Sequence, residues 1–233
     1  MHNPIVFIHG SGDNARIWRS QLEYFGKDRA FAIDLPGHGQ RADNLPEAVS
    51  VMEYAQAAHT IIFDELQLDH PIIAGHSLGG AIALMMGLEY QLELGGLILI
   101  GTGARLLVHP DLLKSAKEVP QQANQQLQLL AIADTTNPSI LARPENEPAK
   151  TEANMLYRDL SACNMFDVMT RLGEIHLPTL IICGTEDRLT PVKYSEYLHS
   201  HIAGSTLRII PQAGHYVFRE QLEAVNRTIE EWV

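Results

Sequence analysis

The feature that most constrains this chain is a serine in a glycine-rich turn between two apolar segments, IIAGHSLGGAIALMMGL at residues 72–88. The run Ile72–Ala74 is mostly β-branched and predicts a short buried strand, whereas residues 81–88 are rich in helix formers. Between them, the pentapeptide around Ser77 fits the pattern G-x-S-x-G. A strand that turns this sharply into a helix strains its central residue and requires small neighbours. Such a turn exposes the Ser77 hydroxyl above a helix N-terminus; the alternative is a serine that only caps the helix.

Short apolar runs rich in β-branched residues recur along the chain and alternate with helical patterns. The predicted strands are residues 5–8, 31–33, 72–74, 97–100, 180–183 and 207–210. Besides 81–88, helices are predicted at 51–66, where Ser50 and Glu53 form a capping box, and at 192–202 and 217–232. This alternation predicts an α/β protein with a mostly parallel sheet of about six strands and helices on both faces.

About seventy residues between the fourth and fifth predicted strands contain no clear strand pattern. This stretch contains a glutamine-rich segment at 121–128, a loop with Pro144 and Pro148, and an apolar stripe at helical spacing formed by Met165, Val168, Met169 and Leu172. A crossover of this length favours a helical subdomain over a loop. We therefore predict a core of residues 1–103 and 173–233 and a helical cap at residues 104–172. We expect the cap to lie over the carboxyl ends of the strands, where open α/β sheets bind ligands; packing against one side of the sheet is the alternative.

A serine hydroxyl is a poor nucleophile, so it needs a base, and the base needs an acid that orients it. His215 is the best candidate base, because it follows the last predicted strand and precedes the last predicted helix. The acid is expected after the fifth strand, where Asp187 and Glu186 compete. Asp187 has the shorter side chain and stands three residues beyond Gly184, which ends the strand. We predict Ser77 as nucleophile, His215 as base and Asp187 as orienting acid.

An oxyanion formed at the serine needs two N–H donors. The glycine-rich segment after the first strand lets the backbone N–H of Ser11 approach the serine, and the N–H of Leu78 follows it directly. Because the backbone donates, replacing the Ser11 side chain should have little effect. His9, His38 and His76 lie in tight glycine turns, so their rings are expected to hydrogen-bond loop backbone. His76, next to the serine, is also a candidate for substrate binding.

Together these segments resemble the α/β-hydrolase superfamily nearly from end to end. FIHGSG is similar to the family's oxyanion loop after its third strand, DLPGHGQ to the loop after the fourth, and GHSLGG to the nucleophile elbow. LPTLIICGTEDRLTP is similar to the acid strand and its loop, and IPQAGHYVFRE to the histidine loop. The order serine, aspartate, histidine is also that of the family. The resemblance implies a sheet without the family's usual first hairpin, with the strand equivalent to the family's fourth at an edge.

A serine at the elbow implies chemistry through an acyl-enzyme. The resemblance therefore implies a carboxylic-ester hydrolase for a small, fairly apolar ester, lactone or thioester, with no metal or organic cofactor. Alternatives on the same fold are a C–C hydrolase of β-diketones, a cofactor-free perhydrolase and a ligand-binding receptor. A C–C hydrolase would need a basic group for the substrate carboxylate, and Arg16 and Arg105 are candidates. Either can equally be a surface arginine.

Composition narrows the choice of partners. The 17 Lys and Arg residues stand against 28 Asp and Glu residues, so the formal net charge of −11 argues against nucleic acid or an anionic membrane. No segment resembles a membrane span or a targeting sequence. The two cysteines, Cys163 and Cys183, are expected to be buried thiols, which fits a reducing compartment. We expect a cytoplasmic monomer or homodimer that acts on a small molecule.

Overall fold

The computed structural model describes residues 3–141 and 155–233. In this part of the chain the strands are β1 (Ile5–Ile8), β2 (Ala30–Ile33), β3 (Ile72–His76), β4 (Gly96–Ile100), β5 (Thr179–Gly184) and β6 (Thr206–Ile210). They form one sheet in the order β2-β1-β3-β4-β5-β6, and every neighbouring pair is parallel. The predicted six-stranded parallel sheet is confirmed, and β2 lies at an edge as expected.

The α-helices of the described residues are α1 (Arg19–Phe25), α2 (Val51–His59), α3 (Leu78–Glu89), α4 (Pro110–Glu118), α5 (Pro120–Ala131), α6 (Met155–Met165), α7 (Val192–His201), α8 (Val217–Glu220) and α9 (Leu222–Trp232). Helix α2 continues as a π-helical segment, Thr60–Glu65. Short 3₁₀ segments are Ala15–Trp18, Gln91–Glu93, Pro138–Leu141 and Met169–Glu174. The capping box forms as predicted, since the Ser50 hydroxyl accepts from the Glu53 N–H and the Glu53 carboxylate accepts from the Ser50 N–H.

Helices cover both faces of the sheet, because alternate strand residues point to opposite sides. Helices α2, α3 and α7 pack on one face, against residues such as Val6, Ile73 and Leu99. Helices α1, α8 and α9 pack on the other face, against residues such as Phe7 and Ile98. Between β4 and β5 the chain forms α4, α5 and α6. None of the helices in the described residues combines the length and the apolar composition needed to cross a bilayer.

The predicted helix at 217–232 is two helices in the structure. Gln221 interrupts it with a non-helical backbone (φ −127°, ψ 56°). The Gln221 side-chain amide donates to the Gln212 carbonyl. This contact with the loop before the helix stabilises the non-helical backbone at Gln221. The prediction of a single helix at 217–232 is therefore wrong at this residue.

The apolar stripe from Met165 to Leu172 does not lie on one helix. Helix α6 ends at Met165, whose side chain is exposed, and a 3₁₀ segment begins at Met169. Between them the Val168 N–H donates to the Ala104 carbonyl, which pulls the chain out of helical geometry. The single-helix prediction is therefore wrong, although Val168 and Leu172 are buried. The predicted loop with Pro144 and Pro148 lies outside the described residues.

Candidate active site

Ser77 lies at the sharp turn between β3 and α3, in the left-handed backbone region (φ 55°, ψ −115°) that non-glycine residues rarely adopt. Its N–H donates to the Ile100 carbonyl, and its own carbonyl accepts from the Thr102 hydroxyl. The flanking glycines are required by close packing. A methyl group at Gly75 would overlap the Gly79 carbonyl, and one at Gly79 would overlap the carbonyl oxygen of Ile8 on β1. The sheet therefore forces the strained turn and keeps it small.

His215 and Asp187 meet beyond the carboxyl ends of β6 and β5. Because these strands are parallel neighbours, the loops that follow them leave the same edge of the sheet. His215 Nδ1 donates to Asp187 Oδ2 at 2.8 Å, and both side chains are buried. Glu186 is only half-buried, and its N–H is bound to the Ala213 carbonyl. Of the two carboxylates that compete in the sequence, Asp187 contacts the imidazole.

Asp187 is held by a residue that the sequence reasoning missed. The Thr190 hydroxyl donates to Asp187 Oδ2 at 2.8 Å, and the N–H groups of Leu189 and Thr190 donate to Oδ1 at 2.9 and 2.8 Å. Burial favours the neutral form of Asp187, but His215 and these donors together hold its pKa below its ordinary value. The signal was present in the spacing Asp-x-x-Thr after a strand, which is typical of a side chain that caps its own turn.

Ser77 and His215 line the same cavity, which has a volume of about 400 Å³. Since His215 Nδ1 faces Asp187, the other ring nitrogen, Nε2, lies on the far side of the ring from the carboxylate. No hydrogen bond joins the Ser77 and His215 side chains, both of which lie in the described part of the chain. Such bonds are often long in enzymes without substrate and shorten when substrate binds.

The loop after β1 lies directly against the serine, since a methyl group at Gly10 would be 3.3 Å from Ser77 Cβ. Within residues 3–141 and 155–233, neither the N–H of Ser11 nor that of Leu78 has an acceptor. The Leu78 N–H also belongs to the first turn of α3, where the helix dipole favours negative charge. The two segments next to Ser77 therefore each contain an N–H group without an acceptor in the described residues.

The three glycine-turn histidines bind loop backbone, as predicted. His9 contacts the Gly10 carbonyl, His38 the Pro36 carbonyl and His76 the His215 carbonyl. His76 also lines the cavity, and burial together with the neighbouring His215 holds its pKa well below the ordinary value. It is therefore a neutral ring that supports the His215 loop.

The two arginines proposed from the sequence as substrate contacts do not line this cavity. Arg16 lines a separate cavity beside Ile140 and Arg219, and Arg105 lies 3.5 Å from Asp167 at the surface. Among the arginines of the described residues, Arg188 lines the cavity; the sequence reasoning missed it although it follows the predicted acid directly.

The Arg188 guanidinium is already engaged by the end of α5. It donates to the carbonyls of Leu129, Leu130 and Ile132, and to the Asp134 carboxylate at 2.9 Å. A cation at a helix C-terminus is stabilised by the helix dipole as well as by its acceptors. Arg188 therefore fixes the end of α5, and a substrate carboxylate would have to compete with Asp134 and these carbonyls for it.

The insertion between β4 and β5 supplies much of the remaining cavity wall. Its apolar lining residues are Leu106, Leu107, Val108, Leu112, Leu127, Leu130, Ala131 and Leu160. Carboxylates also reach the cavity, from Asp111 and from Asp13, which accepts a hydrogen bond from the Tyr216 hydroxyl. In the described residues, no three His, Cys, Asp or Glu side chains are grouped so that they could hold a metal ion.

Comparison with known proteins places the chain among hydrolases. It is 30% identical to the pimeloyl-acyl-carrier-protein methyl ester esterase of Neisseria meningitidis serogroup C, over 94% of this chain and 89% of that protein. It is 28% identical to the 2-hydroxy-6-oxononadienedioate/2-hydroxy-6-oxononatrienedioate hydrolase of Cupriavidus pinatubonensis, over 98% of this chain and 86% of that one. The solved structure of a thermophilic esterase shares 36% identity and a TM-score of 0.83, over 99% and 89% of the two chains. The sequence model of the alpha/beta hydrolase family matches residues 5–228. Because that match spans nearly the whole chain, this protein belongs to the α/β-hydrolase family.

Proposed function

We propose that this protein is a carboxylic-ester hydrolase that cleaves small, largely apolar esters, lactones or thioesters through an acyl-enzyme on Ser77. The observation that carries the proposal is that Ser77, the Asp187-bound His215 and Ser11 line one cavity, while the N–H groups of Ser11 and of Leu78, next to the serine, have no acceptor in the described residues. These are the parts that acyl transfer by a serine requires.

In the proposed mechanism Ser77 Oγ attacks the ester carbonyl while His215 Nε2 takes the hydroxyl proton. The N–H groups of Ser11 and Leu78 donate to the oxyanion. His215 then returns the proton to the leaving alcohol. A water molecule, deprotonated by the same nitrogen, attacks the acyl carbonyl, and the acid is released as His215 returns this proton to Ser77 Oγ. Asp187 orients the imidazole and stabilises its cation, consistent with the donors that keep this carboxylate ionised.

The relatives support the reaction type. Two of the proteins compared above are an esterase of methyl esters and a thermophilic esterase, and both align over almost the whole chain. The C–C hydrolase relative is named for a dioate, a substrate with two carboxylates. A second carboxylate on the substrate would need a free cation, and Arg188 is already bound to α5 and Asp134. The described cavity therefore favours an uncharged ester over a carboxylated diketone.

We also propose that residues 104–172 form a cap over the carboxyl ends of the strands. The leucines of α4, α5 and α6 that line the cavity support this assignment. Apolar walls bind an acyl or alcohol chain by removing its surface from water, with little preference for chemical detail. We therefore expect this wall to discriminate between substrates by the length of their apolar chains.

Cys163 and Cys183 are buried and form no disulfide in the described residues, which supports the reducing, cytoplasmic location predicted from the sequence.

The test is hydrolysis of p-nitrophenyl esters from acetate to decanoate by the wild type and by Ser77→Ala. We expect turnover by the wild type, with an optimum at the chain length that fills the cavity. Ser77→Ala should lower kcat on the order of 10⁴-fold or more. The matched control is Ser200→Ala, at an exposed position on α7, which should keep full activity.

Melting curves establish that each variant is folded. Retention of activity by folded Ser77→Ala would exclude the proposed nucleophile. If the folded wild type hydrolyses none of these esters, the ester-hydrolase assignment is wrong. Carboxylated β-diketones are then the next substrates to test.

A further inference from the structure

A buried carboxylate on α6 reaches the loop that carries the Ser11 N–H. Asp159 is fully buried, and its Oδ2 accepts from the Gly12 N–H at 2.8 Å and from His38 Nε2 at 2.9 Å. Its Oδ1 accepts from the Tyr54 hydroxyl at 2.6 Å. Both oxygens of Asp159 are therefore occupied by donors from segments far away in sequence. The proposed catalytic steps use none of these groups directly.

The charge of Asp159 is balanced by His38. The two ring nitrogens of His38 face acceptors, the Pro36 carbonyl at 3.1 Å and the Asp159 carboxylate, so both carry protons. Burial opposes this cation, but Asp159 outweighs it and raises the pKa of His38 above its ordinary value. Asp159 thus binds the Gly12 N–H as a carboxylate, and hydrogen bonds of this charged kind are shorter and stronger than neutral ones.

Gly12 is pressed against the same helix. Its backbone has φ +70°, and a methyl group built on it would lie 3.2 Å from Leu156 Cδ1 on α6. One helical turn after Asp159, the Cys163 thiol lies 3.7 Å from the Ser11 hydroxyl. One face of α6 therefore contacts the loop at two consecutive residues.

The loop is fixed at both peptide units that flank Ser11. The Gly10 carbonyl accepts from His9 Nδ1 at 2.9 Å, while His9 Nε2 accepts from the Leu35 N–H at 3.1 Å. This neutral form of His9 is favoured by burial, which together with His38 lowers its pKa to about 4. In a trans peptide the C=O and N–H point in opposite directions, so binding the Gly10 carbonyl directs the Ser11 N–H away from His9. The next N–H, that of Gly12, is held by Asp159.

We propose that Asp159 is a positioning residue of the oxyanion hole, which holds the Gly12 N–H so that the Ser11 N–H stays directed at the substrate oxyanion. The proposal rests on the proposed function, since it assigns the Ser11 N–H to the oxyanion. It gives the insertion a second role besides lining the cavity. Catalysis then requires α6 to be docked on the loop, because withdrawal of Asp159 releases the peptide next to the donor.

The test compares the wild type with Asp159→Asn, which keeps the side-chain shape but replaces one acceptor oxygen with an amide donor. We expect kcat to fall about ten- to a hundredfold with KM within about twofold, because a misplaced donor weakens only the transition state. An alkyl trifluoromethyl ketone forms a tetrahedral adduct in which Ser77 Oγ adds to the carbonyl and its proton passes to His215. The inhibition constant of this ketone should rise by the same factor as kcat/KM falls.

The matched control is Asn226→Ala, which removes a buried polar group on α9 that is bonded to Gln21 and does not touch the oxyanion loop. It should lower the melting temperature but leave kcat and the ketone inhibition constant unchanged. The proposal would be overturned if folded Asp159→Asn had the wild-type kcat and the wild-type inhibition constant of the ketone. Equal losses in the two variants would also overturn it, since those would show a general loss of stability. Ser77→Ala with full activity would instead refute the proposed function.

If Asp159→Asn fails to fold, the unmodified protein still tests the contact. Labelling with ¹⁵N-glycine marks 17 residues, among which Gly12 can be assigned. A Gly12 amide bonded to a buried carboxylate should resonate far downfield and exchange slowly with solvent. Rapid exchange at Gly12 with slow exchange at Gly79 would overturn the proposal.

Discussion

The two walls of the cavity are built in different ways. On the sheet side, every candidate catalytic group lies within five residues after a strand, and Ser77 lies in a strained turn that neighbouring backbone keeps small. On the insertion side, the wall is largely apolar and comes from α4, α5, α6 and the segment before α4, with no comparable strain in the residues that line the cavity. Positions of reacting atoms must be held closely, and short turns on parallel strands do this well. An apolar wall, by contrast, needs only a volume and a shape that fit the substrate.

The two walls are nevertheless joined by hydrogen bonds, two of which reach the backbone of the loops that carry candidate catalytic groups. At the end of α5 the Ala131 carbonyl accepts from the His215 N–H at 2.6 Å. On α6, Asp159 accepts from the Gly12 N–H. The insertion therefore contacts the histidine loop and the oxyanion loop, one on each side of the serine. The insertion, whose contribution to the cavity is mainly apolar, is thus tied to the candidate catalytic loops by buried hydrogen bonds.

The largest expected effect is on the sheet side, for Asp187→Asn. An amide cannot stabilise the His215 cation and favours the wrong tautomer, so kcat should fall on the order of 10⁴-fold. The matched control is Glu186→Gln, the adjacent carboxylate without a contact to His215, for which kcat should stay within about threefold. The measurement is steady-state hydrolysis of the best p-nitrophenyl ester. A larger loss for Glu186→Gln would reverse the assignment of the acid.

On the insertion side, Leu127→Trp should change specificity rather than chemistry. The indole fills part of the cavity, so kcat/KM for the longest esters should fall about tenfold or more, while the value for acetate stays within about threefold. The control is Leu129→Trp at an exposed position on the same helix, which should leave the chain-length profile unchanged. A uniform loss over all chain lengths would show that this wall affects the catalytic groups themselves.

The smallest expected effect is on the pH dependence of the free energy of unfolding. It concerns His38, which pairs with Asp159 where the insertion meets the sheet side of the cavity. The pKa of His38 is raised in the folded state, so its stabilising contribution is complete below about pH 6.5, the unfolded value, and is lost as the pH rises through the folded pKa. The difference in the free energy of unfolding between the wild type and His38→Gln should therefore shrink from pH 6.5 upward. Urea denaturation from pH 5.5 to 9 measures it. A difference that grows with pH would contradict a protonated His38 paired with Asp159.

Much of the fold and of the candidate site is predictable from the sequence, because the signals are local. Buried parallel strands appear as β-branched runs, and the turn around Ser77 appears as small residues at fixed spacing, since larger ones would overlap β1. The relation of Ser77 to His215 follows from the parallel topology, which brings all strand ends to one edge. These features depend on neighbours within a few residues or on a rule for the whole sheet.

Interruptions of helices are less predictable. The break at Gln221 depends on a hydrogen bond to Gln212, and the end of α6 is followed by a contact between Val168 and Ala104. The apolar spacing is the same with or without these contacts. Periodicity alone therefore joins segments that the structure separates.

The sheet, the turn at Ser77 and the loops that carry Asp187 and His215 follow from the sequence alone, because short-range packing demands those residue types there. Three contacts become visible only in the folded chain: Asp187 with His215, Arg188 with α5, and Asp159 with Gly12 across 147 residues. These contacts join side chains to distant backbone groups at single points. A single buried hydrogen bond leaves no periodic pattern in a sequence, so it becomes visible only when the chain is folded.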